Sequence, residues 1–546
     1  MHPALSISEL LQGIFRLASP SGKGRMQALL NYALVCHAWK PDALELLMAV
    51  LEDVVVDIRM IARALGAMMK GGVVEERLIF PSPPGPDTWR RFQGTFSLRV
   101  RSIVVDLKTE NDSRLLEVMA KTRPHSFDSF FPNLRRMTVI DDERLLLSDC
   151  RDAILMLMNR SVESLSLKSK PEVEQDEDPP SDLPLFFEDF AAIGDRMPHL
   201  TSLLISGAYT IDLDIGDEIA ILCSRLPSLT ELELPSLNDY TRVIESVARH
   251  CPQLQGLTCF ETELIAAQSV LPMPSLKRLN LGLEYLSELV RFMNQHPVPA
   301  LETCLFFFDP IYTEPQDLRN LFTLLSSLPH ITKIEYSMRG FGEDFELNFG
   351  ELRPVLQCRN IRELHCGHSR ISLTDADLVI LGRSLPCLES LMLSPFLHDL
   401  EEPEDMPTLR GLIDLTEHAT KLRYLQLRLL PIYPPTDSMD NDATTESNKD
   451  ELTLDSIKSF HCLEQLCVCR SLLDPDWTLV TTLVLGRILP LKCRFRYCAL
   501  LDHDGPWGVD REEGEVMLSI AEWEKVSFGL KFRAAASCGK VALPSL

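Results

Sequence analysis

The feature that most constrains this chain is a short phrase that returns about every 30 residues: a proline, one further residue, then Leu-x-x-Leu-x-Leu. LPSLTELEL at 226–234 is the clearest copy. FPNLRRMTV, MPHLTSLLI, MPSLKRLNL, LPHITKIEY and LPCLESLML follow it closely. SVESLSL, CPQLQGLTC, VPALETCLF, RNIRELHC, TKLRYLQL and HCLEQLCV are looser versions. The first apolar position falls at Leu134, Val162, Leu200, Leu229, Leu254, Leu276, Leu301, Ile331, Ile361, Leu388, Leu422 and Leu463.

Within one copy, Leu232 and Leu234 alternate as in a strand and share an inward direction with Leu229, while Glu231 and Glu233 face out. An inward leucine contributes ~1.5–3 kcal/mol only when a neighbouring copy covers it, so the copies are expected to lie side by side as a parallel sheet. Amphipathic helices occupy the intervals, for example Leu318, Leu321, Phe322, Leu325 and Leu328, or Leu378, Leu381 and Leu385. Thr374 three residues before Asp377 reads as a helix N-cap. Proline after most helices stops them before the next strand. Alternating strands and helices with short connections predict a right-handed βα solenoid. The competing reading is a compact α/β domain whose strands share a Pro-x-Leu start.

Residues 97–490 resemble the leucine-rich-repeat family, with FSLRVRSIVVDL as an opening strand. The resemblance implies an α/β solenoid of parallel strands with outer helices. The Asn or Cys that follows the third leucine in that family is replaced here by Leu237, Glu284, Ser369 and Ser471, which predicts an irregular arc. Two intervals are lengthened by polar sequence near 171–182 (PEVEQDEDPPSD) and 434–451 (PPTDSMDNDATTESNKDE), both expected as disordered loops. Residues 491–546 are expected to form a C-terminal cap, with GPWGVDREEGEV as a turn.

Residues 3–48 read as three short helices: an apolar set Leu10, Leu11, Ile14 and Phe15, then Leu29 to Trp39, then Ala43 to Met48 with Pro41 at its start. PALSISELLQGIFRL followed by LLNYALVCHAWKPDALELL resembles the F-box, whose specific part is Leu34, Val35, Cys36 and Trp39. Its position at 1–50, before a helical or irregular linker and N-terminal cap at 51–96 that contains PSPPGPDTWRRF, is similar to F-box proteins of fungal type. The resemblance implies the substrate receptor of a Skp–cullin–F-box ubiquitin ligase. Pro3, Leu5, Leu10, Leu11, Ile14, Leu34, Val35 and Trp39 would then serve the F-box core and the contact with a Skp-type adaptor, and through it a cullin. The alternative is a repeat scaffold unconnected with ubiquitin transfer, in which the same helices only cap the array.

Outward strand positions form the face available to a target protein. They include Ser202, Glu231, Glu233, Arg278, Asn280, Thr303 and Ser390. The C-terminal part supplies the preferred candidates: Lys333, Glu335, Glu363, His365, Met392, Tyr424, Gln426 and Arg428. Tyr and Arg are residue types that interfaces favour. A net charge of −25 argues against nucleic acid or an anionic membrane as partner.

No catalytic, cofactor or metal site is expected. Cys462, Cys467, Cys469 and His461 fall inside the repeat phrase, where alternation predicts that Cys467 and Cys469 point outward, and no second ligand pair follows at zinc spacing. His365 and Cys366 are adjacent in a strand and so face opposite sides. SPSGKGR lacks the spacing of a phosphate loop. Fifteen cysteines without framework spacing fit a reducing compartment, and the N-terminus has no signal-peptide pattern, so cytoplasm or nucleus is the expected location.

Overall fold

The computed structural model describes residues 55–537 except 71–76, 108, 125–126, 128, 142–145, 170–189, 207–214, 238, 263–269, 309–313, 339–345, 368–369, 395–404, 431–456, 470, 472 and 499–512. Two compact units divide the chain between Phe260 and Glu261. The F-box-like helices and both lengthened polar intervals lie outside the described residues, as does most of GPWGVDREEGEV.

In the first unit, seven described strands pair in parallel and in chain order: β1 (Val56–Asp57), β2 (Ser102–Leu107), β3 (Arg136–Asp141), β4 (Ser164–Ser169), β5 (Ser202–Ser206), β6 (Glu231–Leu234) and β7 (Gly256–Thr262). Eight more do so in the second: β8 (Arg278–Leu283), β9 (Thr303–Phe308), β10 (Lys333–Met338), β11 (Glu363–Gly367), β12 (Ser390–Ser394), β13 (Tyr424–Leu427), β14 (Gln465–Cys469) and β15 (Arg494–Cys498). Each strand after β2 carries the repeat phrase or its looser form, except β15. The first apolar residue of all twelve copies is buried, Leu254 being the most accessible at 3%. Strands β5, β6, β9 and β11 alternate half-exposed and buried residues, as a sheet covered on one face requires.

The copies are kept in step by backbone rather than by an Asn or Cys ladder. Ahead of β6 the N–H groups of Thr230 and Glu231 both donate to Thr201 O, at 2.7 and 3.0 Å. Arg362 and Glu363 repeat this toward Thr332 O, and Arg423 and Tyr424 toward Glu389 O. Most copies thus satisfy their strand-start donors with a carbonyl of the strand before.

Helices pack behind the strands. The helix Pro315–Ser326 buries Leu318, Leu321, Phe322 and Leu325 fully, whereas Leu328 lies beyond its end and is half-buried. Asp375–Ser384 begins with the expected cap as a complete box: Thr374 Oγ1 accepts from Asp377 N at 3.2 Å, and Thr374 N donates to Asp377 Oδ2 at 2.9 Å.

Strands β1 and β15 lie outside the 97–490 span of the repeat resemblance. PSPPGPDTWRRF is more regular than its composition predicts, because Pro86 opens the helix Pro86–Thr95 at the position where its missing N–H costs nothing. That helix buries Trp89 and Phe92, and the Trp89 ring stands edge-on to Phe130 with centroids 5.0 Å apart. Arg59 closes this end of the unit with a two-pronged bond to the buried carboxylate of Asp112, at 2.7 and 3.0 Å. In the second unit, the helix Glu513–Ser537 packs against Thr478–Ile488, burying Trp523 and Val526. Gly529 makes the close approach possible, since a Cβ there would stand 2.8 Å from Thr482 Cγ2.

Candidate functional site

The face of the sheet opposite the helices carries the candidate residues, and parallel register assembles them into rows. Thr303, Lys333, Glu363, Ser390, Tyr424 and Gln465 are register partners across β9 to β14. Glu335, His365, Met392 and Gln426 form the next row. Residues separated by some thirty positions in sequence thereby become neighbours about 4.8 Å apart.

Four candidates interact directly. Lys333 Nζ lies 3.0 Å from Glu335 Oε2 and 3.0 Å from Glu363 Oε2, bridging β10 and β11. His365 Nδ1 stands 3.4 Å from Glu335 Oε2, while its Nε2 is 2.9 Å from Ser390 Oγ on β12. Ser390, although an outward residue, is buried in this arrangement. The hydrogen bond to His365 and the bonds to Lys333 outweigh burial and hold the Glu335 carboxyl at about 2. Burial lowers the proton affinity of Lys333, but its hydrogen bonds to Glu335 and Glu363 raise it by more. The side chains are only 18–42% exposed, so this polar patch is both fixed and accessible.

Met392 and Gln426 are half-exposed beside this network, and Tyr424 is exposed on β13. Tyr424 Oη donates to Glu464 Oε2 at 3.1 Å, and the Arg423 guanidinium lies 5.9 Å from the Tyr424 ring centre. Arg428 is half-buried just past β13, outside both rows. Pro3, Leu5, Leu10, Leu11, Ile14, Leu34, Val35 and Trp39 lie outside the described residues.

The expectation for Cys467 and Cys469 needs correction. Alternation still sets them opposite Leu466 and Val468, but both are buried, with their Sγ atoms 3.9 Å apart. Strand periodicity fixes direction, whereas burial depends on what packs over that face. Cys366 is buried while His365 is half-exposed on the other side, as adjacent strand residues must be. Burial lifts the Cys304 thiol to about 12, and lifts Cys366 as far against the opposing effect of its hydrogen bond with Tyr336, so neither is a reactive thiolate. Among the described residues no group of three or more His, Cys, Asp or Glu side chains is placed to hold a metal ion. No helix among them is long and apolar enough to cross a membrane.

Sequence reasoning missed a third row, at the residue directly after the first apolar position of each copy. There opposite charges meet on neighbouring strand starts: Arg135 with Glu163 at 3.3 Å, Lys277 with Glu302 at 3.0 Å, and Arg423 with Glu464 at 2.8 Å. The signal was present as Arg or Lys in one copy and Glu in the next. These pairs are well exposed and serve register more than stability.

A ladder of parallel, leucine-bearing strands, each followed by helix and repeated in register, defines a leucine-rich-repeat architecture of the α/β class. No model of a known family and no curated protein matches the chain. Among solved structures, a Bacteroides fragilis protein is similar at 14% identity and a TM-score of 0.29, over 48% of this chain and 67% of that one. TLR13 in complex with ssRNA13 is similar at 11% identity and 0.27, over 68% of this chain and 49% of that one. Drosophila Toll, in its complex with Spatzle, is similar at 11% and 0.28, over 67% of this chain and 55% of that one. The chain spans about half the length of the TLR13 and Toll chains. At these scores the likenesses carry no weight, and the assignment of the fold stands on the strand ladder.

Proposed function

We propose that this protein holds a target protein on the outward sheet face of its second unit and presents it, as a substrate-recognition adaptor, to a Skp–cullin–F-box ubiquitin ligase. The observation that carries the binding part is the patch on β10 to β13. Lys333, Glu335, Glu363 and His365 are held by one another, and Met392, Tyr424 and Gln426 adjoin them. Such a surface is ordered before binding, so less side-chain freedom is lost on association. Its mixed charges select a partner by complementarity rather than by net attraction. The ligase part is supported by the resemblance of residues 3–48 to the F-box alone, with Leu34, Val35 and Trp39 as the contacts with a Skp-type adaptor. In this reading the protein is no enzyme, and catalysis belongs to its partners in cytoplasm or nucleus.

Affinity purification of the full chain tests both parts. The wild type is expected to recover a Skp-type adaptor. Leu34→Asp with Trp39→Ala loses the adaptor, whereas Tyr424→Ala with Gln426→Ala keeps it and loses a distinct set of proteins. Failure to recover an adaptor with the wild type, or recovery undiminished by the N-terminal pair, removes the ligase role and leaves a scaffold.

A further inference from the structure

Three polar side chains on the outer sheet face stand in an order that holding a partner does not require. Register makes Glu335 on β10 the direct partner of His365 on β11, while Ser390 on β12 is the partner of Glu363 and so lies diagonal to His365. Direct and diagonal positions are both within reach of a long side chain. The imidazole spans them: Nδ1 stands 3.4 Å from Glu335 Oε2, and Nε2 stands 2.9 Å from Ser390 Oγ. Lys333 Nζ, 3.0 Å from the same Oε2, keeps the carboxylate in place.

The protons along this chain of groups have one consistent arrangement. Glu335 is ionised at neutral pH and donates nothing, so the proton it shares with the imidazole sits on Nδ1. In the neutral ring Nε2 is then the acceptor, and the 2.9 Å hydrogen bond is one that Ser390 Oγ donates. A serine–histidine bond by itself is ordinary packing. A hydroxyl bonded to a base that a carboxylate orients in turn is the arrangement of an activated nucleophile. Ser390 retains 7% exposure and the His365 side chain 18%, on the side of the sheet away from the helices. The N–H of Ser390 donates to Arg362 O at 2.9 Å, so it is not available for the negative charge that develops on an attacked carbonyl oxygen. The acyl donor must therefore carry a good leaving group.

We propose that Ser390 is an activated nucleophile that accepts the acyl group of an aryl ester, with His365 as its general base and Glu335 as the residue that positions the imidazole. The bond from Ser390 Oγ to the acyl carbon forms as the bond from that carbon to the phenolate oxygen breaks. The Oγ proton passes to His365 Nε2 and from there to the departing phenolate, and nothing is oxidised or reduced. One acyl group is taken up per chain, which makes Ser390 a modification site rather than the centre of a turnover cycle.

Incubation of the full chain with p-nitrophenyl acetate, followed by peptide mass spectrometry, tests the nucleophile independently of whichever protein the face holds. Ser390 is expected to be the hydroxyl acetylated fastest, and His365→Gln is expected to slow that acetylation at least tenfold at an unchanged melting temperature. The wild-type map decides without any variant: Ser390 left unmodified while surface lysines are acetylated overturns the proposal. Equal rates in the wild type and His365→Gln overturn the general base. Nitrogen NMR of the histidine-labelled chain, with His365→Gln to assign the signal, tests the positioning residue. The His365 proton is expected on Nδ1 in the wild type, with the Nε2 tautomer gaining population in Glu335→Gln. A wild-type proton on Nε2, or a tautomer unchanged in Glu335→Gln, overturns the role of Glu335.

Discussion

At the scale of single residues, the account turns on charges whose neighbours are set by register. Glu335 is the clearest case, because its carboxyl is drawn from its ordinary 4.5 to about 2 by His365 and Lys333. A carboxyl with a lowered folded-state value stabilises the fold above its unfolded value, and that contribution disappears as pH falls through the folded one. Replacing Glu335 by Gln is therefore expected to reduce stability at pH 7 and to make no difference near pH 2, with the gap closing between about 4.5 and 2. Urea denaturation of both proteins at a series of pH values reads it directly. A constant difference across the window would mean that Glu335 acts through packing alone.

At the scale of elements, helix-to-helix contacts explain several glycines that the sequence left without a role. Gly411 lies in the helix Leu409–Leu415, where Ala ordinarily improves stability by ~1 kcal/mol. Here an added Cβ would stand 2.9 Å from the Cα of Asp375 and push against its carboxylate. That carboxylate accepts from Thr408 N and Oγ1, both at 2.7 Å, and so joins two successive helices. Gly411→Ala is expected to cost ~1–3 kcal/mol in denaturant unfolding, as overpacking does. A stabilised variant would show that the two helices have room to separate. The capping box at Thr374 was legible in sequence because cap and partner are three residues apart. The Gly411 contact was not, since its two sides meet only after the helices have stacked.

At the scale of the whole molecule, the interior was legible and the face only partly so. Leucine spacing named the inward positions because alternation along a strand is a local property, and all twelve first positions are buried. Which outward residues meet depends on pairing between distant copies. The sequence named Lys333, Glu335, Glu363 and His365 as candidates, but not that one lysine would bridge two glutamates on adjacent strands. Cover over Cys467 and Cys469 and the aromatic cluster at Trp89 were hidden for the same reason.

The most direct measurement is the distance between spin labels introduced as non-natural residues at Thr303 and Gln465. These positions share one row of the second unit and lie five strand spacings apart. Neither belongs to the charged network. A narrow distribution centred on the order of 25 Å is expected from ~4.8 Å per strand. A broad distribution, or one centred beyond about 40 Å, would contradict the in-register parallel ladder on which the binding face depends.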